Sequence, residues 1–84
     1  MDLVTVKVLF FAVSKEISGR TEAEIIVQSK ISYGNLKQLI CDKFGLEIIK
    51  QNIILAVNQD YCEEGDLELK NNDELAVIPP LSAG

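Results

Sequence analysis

The interpretation of this 84-residue chain depends most on residues 74–84, ELAVIPPLSAG. The apolar run Leu75–Ile78 predicts a β-strand, and Pro79 and Pro80 end it because neither has a backbone N–H to donate to a sheet. Two successive prolines also favour an extended conformation. Residues 79–84 are therefore predicted to leave the sheet as a flexible tail that reaches about 20 Å. The side chains of this tail shrink toward its end, which suits insertion into a narrow slot of another protein, although a frayed terminus is the alternative.

Two alternating segments near the start of the chain predict an antiparallel hairpin. The first segment is residues 3–11, LVTVKVLFF, and the second is residues 21–27, TEAEIIV. One face of the first segment is uniformly apolar: Val4, Val6, Val8 and Phe10. The other face becomes apolar only at Leu9 and Phe11. The end of this strand is therefore either buried on both sides or carries an exposed apolar patch. Residues 12–17 between the two strands predict a short helical turn.

One long helix of about 12 residues is predicted between Ser32 and Gly45. Ser32 is a good N-cap because its hydroxyl can accept a hydrogen bond from a free backbone N–H. Gly45 suits the position just past the helix end, where left-handed backbone is common. Apolar residues recur at the three-and-four spacing of one helix face: Tyr33, Leu36, Leu39, Ile40 and Phe44. Cys41 is expected to be a small packing residue in this helix.

The second half of the chain predicts further strands separated by turns. Residues 53–58, IILAVN, are almost continuously apolar and predict a central or well-covered strand. Residues 58–60 and 71–73 are typical of turns, and Leu67 and Leu69 indicate a short strand at most. The first and last strands are expected to lie side by side. The predicted fold over residues 1–84 is a single α+β domain, a ubiquitin-like β-grasp. It has a mixed sheet of four to five strands, one main helix packed on one face and a protruding C-terminal tail.

Composition and charge exclude several classes of function. The net charge of −5 gives no electrostatic support for nucleic-acid binding, which needs clustered Lys and Arg. No apolar run approaches the roughly 20 residues of a membrane span. The start, Met1-Asp2, has no basic region of the kind found in secretory signals, and only two cysteines are present. A reducing, cytosolic setting is expected.

The acidic residues are unevenly distributed. Seven of the thirteen Asp and Glu residues lie between Asp60 and Glu74, and Lys70 is the one base in that span. A solvated loop surface is one interpretation of this run. Electrostatic steering toward a basic partner is the other.

The side chains offer no catalytic constellation. The sequence has no histidine, and Cys41 and Cys62 have the wrong spacing for a zinc or thioredoxin-like site. The glycines are scattered and form no phosphate-binding loop.

The remaining reactive group is the α-carboxylate of Gly84. A carboxylate becomes reactive when adenylation turns one oxygen into a leaving group, and a sulfur nucleophile can then displace AMP to give a thiocarboxylate. Glycine leaves the carbonyl carbon accessible because it has no Cβ.

Over its whole length, the sequence resembles the small, sulfur-carrier subunits of molybdopterin synthases. The shared features are VLFFA at residues 8–12, IILAVN at residues 53–58 and NDELAVIPPLSAG at residues 72–84, together with Glu16, Ile17 and Gly19. The most specific of them is the ending: a strand, two prolines, an apolar residue, two small residues and a glycine.

The resemblance implies a carrier with no permanently bound cofactor. A ubiquitin-activating-like enzyme would consume ATP to adenylate Gly84, which would then receive sulfur as a thiocarboxylate. The tail would insert into the large synthase subunit, in a heterotetramer, and two loaded carriers would deliver the dithiolene sulfurs to cyclic pyranopterin monophosphate. Whether such a subunit is itself an enzyme is left open. The resemblance places these residues at the partner interface: Phe11, Ile78, Pro79, Pro80, Leu81, Ser82 and Ala83.

The sequence departs from the family pattern at Ala83, where these proteins typically have glycine. A methyl group restricts φ and adds bulk where the tail would pass through a tight channel. A natural variant, an engineered substitution and a missing following glycine are all open explanations. Two other functions also stay open: a β-grasp carrier for thiamine or tRNA thiolation, and an adaptor whose tail is not activated.

Overall fold

The computed structural model describes residues 2–61 and 65–79 of the chain. Its elements follow in the order β1 (Leu3–Phe10), α1 (Ala12–Ser18), β2 (Glu22–Gln28), β3 (Lys30–Ser32), α2 (Tyr33–Phe44), a 3₁₀ helix (Glu47–Asn52), β4 (Ile54–Val57), β5 (Asp60–Tyr61), β6 (Asp66–Glu68) and β7 (Glu74–Ile78). The predicted hairpin, long helix, third strand and last strand are all present. The short strands β3 and β5 were not predicted.

The described strands form one mixed five-stranded sheet, in the order β2-β1-β7-β4-β5, and a separate two-stranded sheet of β3 and β6. β7 pairs parallel with β1 and antiparallel with β4. The first and last strands are therefore neighbours, as predicted, and β7 occupies the centre of the main sheet. This arrangement, with α2 as the main helix, is the ubiquitin-like β-grasp.

The core lies between the inner face of the main sheet and α2. Val6 and Val8 of β1 and Leu36 and Ile40 of α2 are completely buried. The Phe10 and Phe44 rings meet edge to face with centroids 4.9 Å apart, a favoured aromatic geometry. Burying each such aliphatic or aromatic side chain contributes roughly 1.5–3 kcal/mol. The predicted strand and helix faces are thus the ones that pack together.

Local signals in the sequence determine where α2 begins and ends. The Ser32 hydroxyl accepts a hydrogen bond from the Asn35 amide at 3.1 Å, and Gly45 has a φ of 72° while its N–H donates to Cys41 O. Both predicted caps are confirmed.

In the described part of the chain, no helix combines the length and apolar character required to cross a bilayer.

The turn at residues 58–60 makes a hairpin. Asn58 and Gln59 have φ values of 50° and 74°, which is the pattern of a tight two-residue hairpin loop. This turn brings Asp60 of β5 opposite Val57 of β4. The predicted turn is confirmed, and β5 becomes one edge of the main sheet.

Candidate partner-docking site

The outer face of the main sheet, opposite α2, carries an apolar patch beside the end of β7. In register across the sheet, Ala76 of β7 lies between Leu9 of β1 and Ala56 of β4, and Ile78 lies opposite Ile54. Phe11 follows β1 and is 48% exposed. We define the apolar patch as Leu9, Phe11, Ile54, Ala56, Ala76 and Ile78. Of the two alternatives for Leu9 and Phe11, the structure therefore shows the exposed apolar patch.

A groove of about 340 Å³ runs over this patch. Its floor is low because two alanines, Ala56 and Ala76, face each other across β4 and β7. Larger side chains surround them, so the alanine pair leaves a depression. The residues that line the groove are Leu9, Phe11, Ala56, Gln59, Glu74, Ala76 and Ile78. The groove therefore has an apolar floor with a carboxylate at its rim.

Ser14 fixes the position of Phe11 relative to the end of β7. Its side chain is completely buried. The hydroxyl oxygen accepts a hydrogen bond from Phe11 N at 3.0 Å and lies 2.6 Å from Phe11 O and 3.3 Å from Val77 O, which share its single proton. These contacts join the start of α1 to the central strand. The exposed Phe11 ring is therefore carried on backbone that is anchored to β7.

The structure places three of the predicted interface residues in one area. Phe11 and Ile78 line the same groove, and Pro79 directly follows Ile78 and is buried. Any outward path of the tail therefore starts after Pro79. The remaining predicted site residues lie outside the described residues, and their roles stay predictions: Pro80, Leu81, Ser82, Ala83 and Gly84.

Sequence reasoning did not identify four residues of the site: Ala56, Ala76, Ile54 and Ser14. Each alanine sits inside an apolar run, IILAVN or ELAVI, and a run of this kind does not show which positions face outward. Ser14 gave no signal because serine near a helix start is ordinarily exposed. Their roles depend on contacts between distant parts of the chain.

Cys41 lies away from the patch, in α2. It is completely buried, which confirms its predicted packing role. Burial raises the pKa of the Cys41 thiol, and the nearby Glu47 carboxylate raises this pKa further. The thiol is therefore held protonated and has little nucleophilic character.

The fold and the site together define a small ubiquitin-like β-grasp domain with an apolar patch where its central strand ends. A comparison with protein families gives a match over residues 8–84. The chain belongs to the ThiS family.

Curated relatives are similar over almost the whole chain. A protein of Anopheles gambiae named molybdopterin synthase sulfur carrier subunit is 44% identical over 99% of this chain and 96% of its own length. One of the same name from Caenorhabditis briggsae is 39% identical over 98% of this chain and all of its own length.

Solved structures agree with this fold. A Pyrococcus furiosus protein assigned as molybdopterin converting factor subunit 1 matches with a TM-score of 0.73 and 29% identity, over 93% of this chain and 99% of that one. The small archaeal modifier protein 1 of Methanosarcina acetivorans matches with a TM-score of 0.76 over the full length of both chains. At 22% identity, that second likeness shows the fold alone.

Proposed function

We propose that this chain is the sulfur-carrier subunit of a molybdopterin synthase and serves molybdenum cofactor biosynthesis. The observation that carries the proposal is the sequence identity of 39–44% to proteins named molybdopterin synthase sulfur carrier subunit, over 98–99% of the chain. The family match extends through residue 84, so it includes the segment that follows β7. The apolar patch beside the end of β7 supports a role in docking.

The proposed chemistry takes place at the carboxylate of Gly84. A ubiquitin-activating-like enzyme joins this carboxylate to the AMP part of ATP and releases pyrophosphate. A sulfur nucleophile at the oxidation level of hydrosulfide then attacks the acyl carbon and expels AMP, which leaves a thiocarboxylate. The carrier needs no catalytic side chain of its own for these steps because its partners supply the nucleotide and the sulfur.

The proposed partner for sulfur delivery is the large synthase subunit, in a heterotetramer. The apolar patch would dock on that subunit while the segment after Pro79 enters its active site. β7 is the central strand and is paired on both sides, so the base of the tail is rigidly placed. Each loaded carrier would give one sulfur to cyclic pyranopterin monophosphate. Hydrolysis of the acyl–sulfur bond would then return the Gly84 carboxylate.

A second candidate function is a β-grasp adaptor that binds without being activated. The observation that favours it is Ala83, because the added methyl group would hinder a tail that must pass through a tight channel. The two functions make opposite predictions for the loss of the last two residues. Deleting Ala83 and Gly84 abolishes sulfur transfer by a carrier and leaves an adaptor functional.

The decisive experiment is an intact-mass measurement. The chain is incubated with ATP, the activating enzyme and a sulfur source, and its mass should rise by the difference between a sulfur and an oxygen atom. The Ala83→Gly variant is measured in parallel, and omission of ATP is the control. If neither chain gains this mass, the proposed carrier function is wrong. If only Ala83→Gly gains it, the chain with Ala83 behaves as an adaptor.

A further inference from the structure

The groove on the apolar patch has the chemistry to bind one particular kind of side chain. Its floor is the pair Ala56 and Ala76, and Glu74 lies at its rim. Glu74 and Ala76 are two residues apart in β7 and point to the same face, about 7 Å from each other. An unbranched aliphatic stem with a cation at its end would match both the floor and the rim.

The backbone of Glu74 is held by Asn58, and the Glu74 carboxylate makes no ion pair among the described residues. Its backbone N–H donates to Asn58 Oδ1 at 3.0 Å, and its carbonyl accepts from Asn58 N at 2.8 Å. Lys7 is the neighbouring cation in register, and its ammonium pairs with Glu22 at 3.6 Å. Among residues 2–61 and 65–79, no ion pair includes Glu74. The rim therefore presents a negative charge on a fixed strand.

The surroundings add to this negative potential. Lys7 stands between Glu24 of β2 and Glu74 of β7 in the sheet register, with Glu22 beside it. On the part of the outer face formed by β2, β1 and β7, three acidic residues therefore neighbour the one cation of Lys7: Glu22, Glu24 and Glu74. A surface of this kind attracts cations and repels acidic partners.

We propose that the groove receives a Lys or Arg side chain of the large synthase subunit. The aliphatic stem lies over Ala56 and Ala76, and the cation binds the Glu74 carboxylate. This inference rests on the proposed function and adds the chemistry by which the large subunit recognises the sheet. Desolvation of the groove on docking strengthens the charged hydrogen bond.

The test compares the affinities of purified full-length variants for the purified large subunit by titration calorimetry at low and moderate salt. Glu74→Gln removes the charge and keeps the shape, and should weaken binding about tenfold and reduce its salt dependence. Ala76→Leu fills the groove and should weaken binding by at least a similar factor. Glu24→Gln is the matched control, because it makes the same change in net charge on the same face outside the groove. Because Glu24 adds to the surrounding potential but does not line the groove, Glu24→Gln should weaken binding much less than Glu74→Gln does.

Each outcome decides the proposal. If Glu74→Gln and Glu24→Gln bind equally, the groove is not the recognition site, even though wild type binds. The same variants are titrated against the activating enzyme, and if Glu74→Gln weakens that complex alone, the assigned partner is wrong. If wild type does not bind the large subunit, this inference and the proposed function fail together. Thermal unfolding of each variant establishes that it is folded, and Glu74→Gln is informative even if Ala76→Leu is unstable.

Discussion

Replacing Ser14 with alanine tests how strongly the start of α1 is held to the central strand. The substitution keeps the Cβ and removes only the hydroxyl, which is completely buried and contacts Phe11 N, Phe11 O and Val77 O. The Phe11 amide would lose its acceptor. An unsatisfied buried donor costs about 1–3 kcal/mol, and a net hydrogen bond is worth about 0.5–1.5 kcal/mol.

The exposure of the Phe11 side chain places the expected cost below the top of this range, because water can reach part of the freed backbone. We expect Ser14→Ala to lower the free energy of unfolding by about 1.5 kcal/mol, which corresponds to a fall in Tm of roughly 6–12 °C for a domain of this size. Urea unfolding followed by far-UV circular dichroism measures the change. The slope of the free energy of unfolding against urea concentration should stay the same, because the surface exposed on unfolding is unchanged.

Ser18→Ala provides the matched control in the same helix. The Ser18 hydroxyl makes long, exposed contacts: it lies 3.4 Å from Lys15 O and 3.3 Å from Arg20 O, and it accepts a hydrogen bond from Arg20 N at 3.3 Å. Its loss should cost less than about 0.5 kcal/mol. If Ser14→Ala is no more destabilising than Ser18→Ala, the buried hydroxyl does not anchor Phe11 to β7.

Two further predictions concern α2. Gly45→Ala should destabilise the domain by about 1 kcal/mol because Gly45 has a φ of 72°. Gly34→Ala should stabilise the domain by about 0.5–1 kcal/mol, because Gly34 lies inside the helix with open space around it. The urea midpoints of the two variants should therefore shift in opposite directions, and shifts in the same direction would contradict this. For Cys41, burial raises the pKa of the folded thiol, so the unfolded thiol ionises first and stability falls as pH rises above the ordinary thiol pKa. Cys41→Ala should lose this part of the alkaline slope in urea unfolding, and a slope equal to that of wild type would show that other groups cause it.

Most of the fold could be predicted because its main elements carry local signals. The alternation of β1 and β2 gave both strands and their pairing, and Ser32 and Gly45 marked the two ends of α2. The last strand could be bounded because Pro79 cannot continue a sheet. These signals act within a few residues of the chain, so one sequence is sufficient to detect them.

What could not be predicted depends on distant pairing. β3 and β5 have three and two residues, too few to show alternation, and β3 is defined by its pairing with β6, with Lys30 opposite Glu68. The groove likewise exists because register places Ala56 opposite Ala76. The sequence identified Phe11 and Ile78 as candidate site residues, but the relation of both to Glu74 required the sheet.

The parallel pairing of β7 with β1 has a consequence for synthesis of the protein. β7 is translated last among the strands and fills the space between β1 and β4. A nascent chain that has not reached residue 74 leaves both of those strands with an open edge, which favours aggregation or degradation. Incomplete chains should therefore be less soluble than the complete domain, in which β7 covers both edges.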